Sequence, residues 1–261
     1  MRVKLKKRLG QNFLTDKNIQ NKILGSLELK TSDLILEIGA GSGEITCLIA
    51  KKAKKVYAVE IDPDLYGLLE EKTKDYTNIS AIKKDILKLD LQKIFAPLNQ
   101  KIKVFGNIPY YISTPIIAHL LKFRKNIETI FITVQKEFAQ RITASAGSKD
   151  YGSLSCFVQY YANPKKVFEI KRTSFFPPPK VDSCLLRLDP REKLPLGTVK
   201  EKFLFKAVRS AFNQRRKTLR NSLKGLLPPK KLERFFLKYS MDKNIRPESL
   251  APQEFINLIN S

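Results

Sequence analysis

The strongest structural signal in the chain lies in the stretch Leu34-Ile35-Leu36-Glu37-Ile38-Gly39-Ala40-Gly41-Ser42-Gly43. Its first half is a short run of mostly apolar residues, typical of a buried strand. Three glycines at alternate positions follow directly, and residues 44–50 after them have the apolar pattern of a helix. Because glycines allow backbone and ligand to approach closely, this order of strand, glycine turn and helix predicts a nucleotide-binding unit.

A second predicted strand, residues 56–60, ends on an acid that suits the same purpose. Glu60 lies 21 residues beyond Gly39. A carboxylate in this place commonly binds the ribose hydroxyls of a nucleoside cofactor. The glycine spacing is G-x-G-x-G rather than the G-x-G-x-x-G of pyrophosphate binders. We therefore expect a cofactor with a ribose and no pyrophosphate, S-adenosylmethionine (SAM), and keep a nicotinamide dinucleotide as the alternative.

Further predicted strands follow at intervals that leave room for helices between them. They cover residues 79–82, 101–105 and 129–134, and later strand material covers 157–161, 167–170 and 183–188. This alternation predicts an α/β fold with a doubly wound, mostly parallel sheet of the Rossmann-like kind. Asp85 follows the third strand, where its carboxylate can accept a hydrogen bond from the adenine amine of the cofactor or cap a helix.

The motif Asn107-Ile108-Pro109-Tyr110 follows the fourth predicted strand. Ligands of open α/β sheets bind outside the carboxyl ends of the strands. There the Asn107 side-chain oxygen can accept a hydrogen bond from an amine, and Pro109 stiffens the backbone that carries the neighbouring carbonyls. The face of the Tyr110 ring, rather than its hydroxyl, is predicted to hold a base. These groups suit an exocyclic amine on a planar ring; an ordinary turn is the alternative.

The charge of the whole chain indicates a polyanionic partner. It has 49 Lys and Arg against 25 Asp and Glu in 261 residues, a formal net charge of +24. Such an excess favours nucleic acid, although a solvated surface is the alternative. The single histidine and three widely spaced cysteines give no metal-binding pattern, so we expect no metal. The sequence contains no signal peptide and no membrane-spanning run, which predicts a cytoplasmic protein.

The composition changes near Pro190. Residues 191–261 hold 17 basic and 6 acidic residues, and helical patterns with prolines between them predict a small all-helical domain. We expect a SAM-binding catalytic domain over residues 1–189, which includes a basic arm at residues 1–9, and a helical RNA-binding domain over 190–261. The densest cluster is predicted to open a cationic helix that contacts phosphates through Arg215, Arg216, Lys217 and Arg220.

Together these stretches resemble the KsgA/Erm family of rRNA adenine N6-dimethyltransferases, and the KsgA branch most closely. The resemblance covers nearly the whole chain. It rests on the glycine and Asn-x-Pro-Tyr motifs and on three more specific stretches, Gln11-Asn12-Phe13-Leu14, Phe176-Pro177-Pro178-Pro179-Lys180-Val181-Asp182-Ser183 and Gln214-Arg215-Arg216-Lys217-Thr218-Leu219-Arg220. Tyr111 departs from the Asn that we expect in most relatives.

The resemblance implies a role for each site residue. SAM would be bound by Asn12, Leu14, Gly39, Gly41, Glu60, Asp85 and Asn107. The target adenine would be held by Asn107, Pro109 and Tyr110, with Phe175 stacking near it. The product would be N6,N6-dimethyladenosine in 16S rRNA, on two adjacent adenines, during maturation of the small ribosomal subunit.

Two other functions remain compatible with the sequence. One is Erm-type dimethylation of a large-subunit adenine, which confers antibiotic resistance. The other is a non-catalytic RNA-binding factor in ribosome assembly that keeps the fold. In each case we expect a monomer that contacts ribosomal RNA and no membrane.

Overall fold

The computed structural model describes residues 11–214 and 216–261. The predicted basic arm at residues 1–9 and the predicted phosphate contact Arg215 lie outside the described residues. The strands are β1 (Phe13–Leu14), β2 (Leu34–Ile38), β3 (Lys55–Glu60), β4 (Ile79–Lys83), β5 (Ile102–Asn107), β6 (Ile127–Gln135), β7 (Ala162–Ile170), β8 (Phe175–Phe176) and β9 (Ser183–Pro190).

The α-helices alternate with these strands in the first half of the chain and dominate its last part. They are α1 (Lys17–Ser26), α2 (Glu44–Ala50), α3 (Pro63–Thr73), α4 (Leu91–Phe95), α5 (Ser113–Lys122), α6 (Lys136–Thr143), α7 (Ser153–Tyr161), α8 (Thr198–Asn213), α9 (Leu219–Ser222), α10 (Pro229–Lys238) and α11 (Pro252–Asn260). Among the residues that the structure describes, no helix has both the length and the apolarity to span a membrane.

Seven strands form one mixed sheet in the order β4-β3-β2-β5-β6-β9-β7. Strands β2 to β6 pair in parallel, and β9 is antiparallel to β6. This arrangement confirms the predicted doubly wound, mostly parallel Rossmann-like sheet. The strand order reverses between β2 and β5, because β3 and β4 lie on one side of β2 and β5 and β6 lie on the other. Such folds bind ligands at this switch point.

The register brings the predicted site residues to one edge of this sheet. Ile38, the last residue of β2, pairs with Val59 of β3 and with Gly106 of β5. Gly39, Glu60 and Asn107 therefore leave the sheet next to one another. Strand β2 is buried at every position, because helices cover parallel strands on both faces.

The chain packs as two compact units. One contains the described residues up to Ala139 together with Pro164–Pro190; the other contains Gln140–Asn163 and Arg191–Ser261. The second unit has its own apolar core, in which Tyr151 and Cys156 lie with Phe212 and Phe255. It begins one residue later than the sequence-based boundary of 190 and also includes residues 140–163, which the sequence places in the catalytic domain.

The segment 157–161 is a helix, so its prediction as strand material is wrong. It forms the end of α7, which begins after Gly152, where the Gly152 N–H donates to Ser155 Oγ at 3.0 Å. A short apolar run has no period that separates a strand from a buried helix. Here its tertiary partners decide, because α7 packs into the helical core of the second unit.

Candidate active site

A cleft of about 880 Å³, open to solvent, lies at the carboxyl edge of the sheet. Eight of the predicted site residues line it, namely Asn12, Gly39, Gly41, Glu60, Asp85, Asn107, Pro109 and Tyr110. A second cavity of about 970 Å³ shares Phe13, Gly39, Gly41 and Asn107 with the first and is also lined by the predicted Leu14. The fold therefore gathers most of the predicted site.

Glu60 connects the end of β3 to the glycine turn. One carboxylate oxygen accepts the N–H of Gly41 at 2.8 Å, and the other accepts the N–H groups of Ile61 and Asp62 at 2.9 and 2.8 Å. Burial raises the pKa of Glu60, and these three N–H donors oppose the rise. A carboxylate can accept about four hydrogen bonds, so capacity remains for a ligand hydroxyl.

The glycines of the turn adopt conformations that other residues rarely can. Gly39 has φ +72° and Gly41 has φ +60°. A Cβ on Gly39 would lie 3.5 Å from the Asn107 carbonyl oxygen, and one on Gly41 would lie 3.6 Å from the Phe13 ring. The absence of side chains there keeps open the floor that the two cavities share.

Asn107 ends β5, and its side chain is oriented by the segment before β1. The amide nitrogen Nδ2 donates to the Asn12 carbonyl oxygen at 3.2 Å. Because this bond engages the nitrogen end of the amide, Oδ1 is the end that can accept a hydrogen bond from an incoming amine. That polarity is the one that the motif predicts.

Pro109 and Tyr110 follow at the cleft wall. Pro109 has φ −59° and precedes a short 3₁₀ helix, Tyr110–Ile112. The Tyr110 hydroxyl lies 2.6 Å from Ser183 Oγ, at the start of β9. Burial raises the pKa of Tyr110, so the hydroxyl stays neutral near physiological pH. Tyr111 is 64% exposed and also lines the cleft, so the residue that departs from the family pattern faces the site's opening.

Leu14 and Phe175 lie in a small antiparallel ribbon formed by β1 and β8. Leu14 pairs with Phe175, and Phe13 pairs with Phe176. Phe175 is only 3% exposed and packs in the apolar core, whereas Phe176 is 62% exposed. The structure thus does not bring the predicted stacking residue Phe175 into the lining of either cavity. The Phe175 ring instead packs in the apolar core of the first unit.

Asp85 lies at the cleft rim after β4. Its Oδ1 accepts the Leu87 N–H at 2.9 Å, so part of the carboxylate serves the local turn. Asp85 also lines the cleft. Its position therefore fits both predicted roles, an acceptor for the adenine amine and a local cap.

Glu37 is a site residue that the sequence-based reasoning missed. It is 2% exposed in the middle of the sheet and lines the second cavity. Among the described residues, its Oε2 is buried without a hydrogen-bond partner. Burial, followed by the nearby charge of Glu60, raises the pKa of Glu37 to about 8. Its signal in the sequence was present: a lone acid inside an otherwise apolar strand.

The predicted phosphate contacts in the second unit differ from one another. Arg216 and Lys217 are exposed in a turn, and Arg220 forms an ion pair with Glu233. Among the described residues of the predicted cationic helix, Thr218 caps α9, which begins at Leu219. The exposed side of α8 instead carries a basic row that the sequence-based reasoning missed, Lys202, Lys206 and Arg209.

Similarity to known proteins shows to which family the chain belongs. A family model described as ribosomal RNA adenine dimethylase matches residues 2–261. The chain belongs to this family. The predicted KsgA/Erm resemblance is therefore confirmed, and this member of the rRNA adenine dimethylase family is an rRNA methyltransferase with a Rossmann-like fold.

Individual relatives cover nearly the whole dimethylase chain. The ribosomal RNA small subunit methyltransferase A of Clostridium acetobutylicum is 44% identical over 250 residues, which are 95% of this chain and 90% of the relative. The protein of the same name from Levilactobacillus brevis is 40% identical and covers 100% of this chain and 90% of its own length.

Two solved structures share the fold at 27% identity. A dimethyladenosine transferase from Plasmodium falciparum superposes with a TM-score of 0.80, covering 94% of this chain and 95% of that one. The 23S rRNA methyltransferase ErmE superposes with a TM-score of 0.76, covering 95% and 98%.

Replacing Glu37 with Gln should change how the stability of this dimethylase depends on pH. Between the ordinary pKa of 4.5 and about 8, the folded parent keeps a proton on Glu37 that the unfolded chain loses. The parent's free energy of unfolding therefore falls as the pH rises, by up to about 1.4 kcal/mol per pH unit from this group. Gln does not titrate, so the free energy of unfolding of Glu37→Gln does not fall for this reason. The difference in free energy of unfolding between Glu37→Gln and the parent should therefore increase as the pH rises through that range.

Urea unfolding at about pH 5, 6.5 and 8 measures this difference. Glu137→Gln, at an exposed carboxyl, is the control and should show no such trend. A constant difference between Glu37→Gln and the parent at all three pH values would contradict the buried, protonated carboxyl.

Proposed function

We propose that this dimethylase transfers methyl groups from SAM to N6 of adenines in small-subunit rRNA, giving N6,N6-dimethyladenosine. The observation that carries the proposal is the position of Asn107. It stands at the switch point of the sheet, next to a cleft with a ribose-binding acid, with its amide oxygen as the end that can accept from an amine.

The residues of the cleft fit SAM. Glu60 retains acceptor capacity for the ribose hydroxyls, and Asp85 lies at the rim where the adenine amine would bind. When bound, the cofactor supplies a methyl group on a positively charged sulfur. The cleft is lined by Glu60 and Asp85 together with Lys84, and a carboxylate near the sulfur would suit its positive charge.

The target side of the site needs no general base. The lone pair of an adenine amine is delocalised into the ring, and the amine is a poor nucleophile. By accepting one N–H of the amine, Asn107 Oδ1 would favour a pyramidal nitrogen with its lone pair directed at the cofactor. A neutral Asn suffices, because the proton can leave to water after transfer. Most of the rate then comes from alignment, which agrees with a loop stiffened by Pro109.

The adenine must leave its stack to reach this cleft, as in other enzymes that modify bases. Aromatic rings at the site support such a target: the half-buried Tyr110 and the exposed Tyr111 both line the cleft. Each aromatic ring that stacks on a base contributes about 1–3 kcal/mol, for any base. We assign Tyr110 to the target adenine, and Tyr111 remains without an assigned role.

RNA binding is assigned to the basic surface of the second unit. Arg216 and Lys217 remain candidates from the predicted cluster, whereas Arg220 already has Glu233 as its partner. To these we add Lys202, Lys206 and Arg209, which repeat at helical spacing on the exposed side of α8. A row of cations along one helix suits successive phosphates of a strand.

The small subunit is the favoured substrate because of the relatives. Two proteins named small subunit methyltransferase A are 44% and 40% identical to this chain, whereas the 23S rRNA methyltransferase ErmE is 27% identical. Action on large-subunit RNA is thus the second candidate, and the two candidates are separated by one experiment.

Incubation of the protein with labelled SAM and each ribosomal subunit, purified without this methylation, tests the function. We expect label only in small-subunit rRNA, at N6 of adenines, up to two methyl groups per base. Label in large-subunit rRNA would favour the second candidate. RNA binding without any methyl transfer would indicate a non-catalytic assembly factor.

Glu60→Ala should weaken SAM binding by roughly 2–3 kcal/mol, the value of one or two hydrogen bonds to a charged group. RNA affinity should hardly change, because phosphate contacts dominate it. Calorimetry with SAM measures the effect. The exposed Glu71→Ala, with the same change of charge, should bind SAM like the parent. Parental SAM affinity in folded Glu60→Ala would remove Glu60 from the cofactor site.

Replacing Lys202, Lys206 and Arg209 with Gln should flatten the salt dependence of RNA binding by up to about 2–3 units of slope, because each lost phosphate contact removes about 0.7–0.9. SAM affinity should stay the same. The matched control is Lys51, Lys52 and Lys54 changed to Gln, with the same loss of charge at the opposite edge of the sheet from the cleft. Equal slopes in the two triple variants would refute a specific role for α8.

A further inference from the structure

The hydroxyl of Tyr110 has a partner that the motif does not predict. It lies 2.6 Å from Ser183 Oγ, and the two residues are 73 positions apart in the chain. Ser183 is 0% exposed, so water does not compete for this hydrogen bond from its side. A short bond between partly buried hydroxyls gives the Tyr110 ring a second fixed point, in addition to its backbone.

Ser183 itself is held by a rigid framework. It is the first residue of β9 and pairs with Gln135 of β6. The preceding Asp182 accepts the Lys136 N–H on its backbone oxygen at 3.0 Å and the Arg172 N–H on its carboxylate at 2.9 Å. The serine hydroxyl is thus presented from a position that the sheet and these two bonds determine.

The same ribbon flanks both side chains of the Asn-x-Pro-Tyr motif. Asn12, which accepts from the Asn107 amide, directly precedes β1. Ser183 follows β8 after a proline-rich segment, and β1 and β8 pair with each other. Asn107 and Tyr110 are therefore each held by a segment that continues from the β1–β8 ribbon.

We propose that Ser183 is a positioning residue for methyl transfer, which orients the Tyr110 ring through the hydroxyl–hydroxyl bond. This inference rests on the proposed function. Pro109 restricts the backbone at one end of Tyr110, and Ser183 restricts the hydroxyl at the other. A ring fixed at both ends presents one face to a base and holds it while the amine is aligned.

This assignment changes the expectation for one variant. From the sequence, only the face of the Tyr110 ring matters, and Tyr110→Phe should keep much of the activity. In the structure, Tyr110→Phe keeps the face but removes the bond that orients it and leaves the buried Ser183 hydroxyl without this partner. The ring should still stack on the base but sample more orientations.

A double-mutant cycle tests the proposal. Tyr110→Phe, Ser183→Ala and the double variant are compared in single-turnover methyl transfer, with the small ribosomal subunit and SAM both saturating. We expect each single variant to be about tenfold slower than the parent, which corresponds to the loss of one hydrogen bond. The double variant should be no slower than the slower of the two single variants. The dissociation constants of SAM and of the subunit should stay within about twofold of the parent, because the bond orients a group rather than holding a ligand.

Ser155→Ala is the matched control for a buried serine. Ser155 is 0% exposed and donates to the Arg141 carbonyl oxygen at 2.6 Å, within the second unit. Its loss should lower the melting temperature without lowering the single-turnover rate. This control separates general destabilisation from positioning.

Two outcomes would overturn the inference: a parental rate in folded Ser183→Ala, or losses that multiply in the double variant. Both leave the proposed function intact, because the parent remains active in them. A parent that transfers no methyl group to either subunit would instead refute the proposed function. The two failures are therefore distinguishable within one set of assays.

Discussion

The site depends on one set of hydrogen bonds, those that the Glu60 carboxylate accepts from three backbone N–H groups. They join the glycine turn after β2 to the loop after β3, so the cleft floor is formed before any ligand arrives. The turn is further tied to β3 because the N–H groups of Gly39 and Ala40 donate to the Val59 carbonyl oxygen at 2.9 and 3.2 Å. A buried carboxylate needs such donors, and here they also set the distance between the two loops.

Charged residues are distributed unevenly over the molecule. Its formal charge of +24 attracts a polyanion, and basic residues concentrate in the second unit. The cleft of the first unit is lined by Glu60 and Asp85 together with Lys84, and Glu37 lies beside it in the adjoining cavity. Burial is the main cause of the raised pKa of Glu37, and the nearby charge of Glu60 adds to it.

The β1–β8 ribbon brings together motifs from three distant parts of the chain. The segment at residues 11–14 engages Asn107 through Asn12, and Gln11 Nε2 donates to Asp62 Oδ2 at 2.9 Å. The segment at 175–183 ends on Ser183, beside Tyr110. Each contact is a single hydrogen bond of modest net value, yet together they restrict the side chains on which alignment depends.

The elements that follow from local patterns could be predicted from the amino-acid sequence. The βα unit at the glycines, the acid that ends β3 and the Asn-x-Pro-Tyr turn after β5 depend on residues close together in the chain. Their apolar periods and glycine positions are therefore legible without the fold. The parallel sheet then brings Gly39, Glu60 and Asn107 to one edge, because the carboxyl ends of adjacent parallel strands must meet.

The contacts between residues far apart in the chain could not be predicted in this way, because they depend on how the chain packs. The burial of Phe175 depends on its pairing with Leu14, and the partner of Tyr110 lies on β9. Glu233 of α10 pairs with Arg220, and the helical core gathers residues 153–161 into the second unit. The raised pKa of Glu37 likewise needs the burial that surrounding elements impose. These outcomes are set by packing and desolvation, which arise only when the chain closes on itself and leave no periodic trace in the sequence.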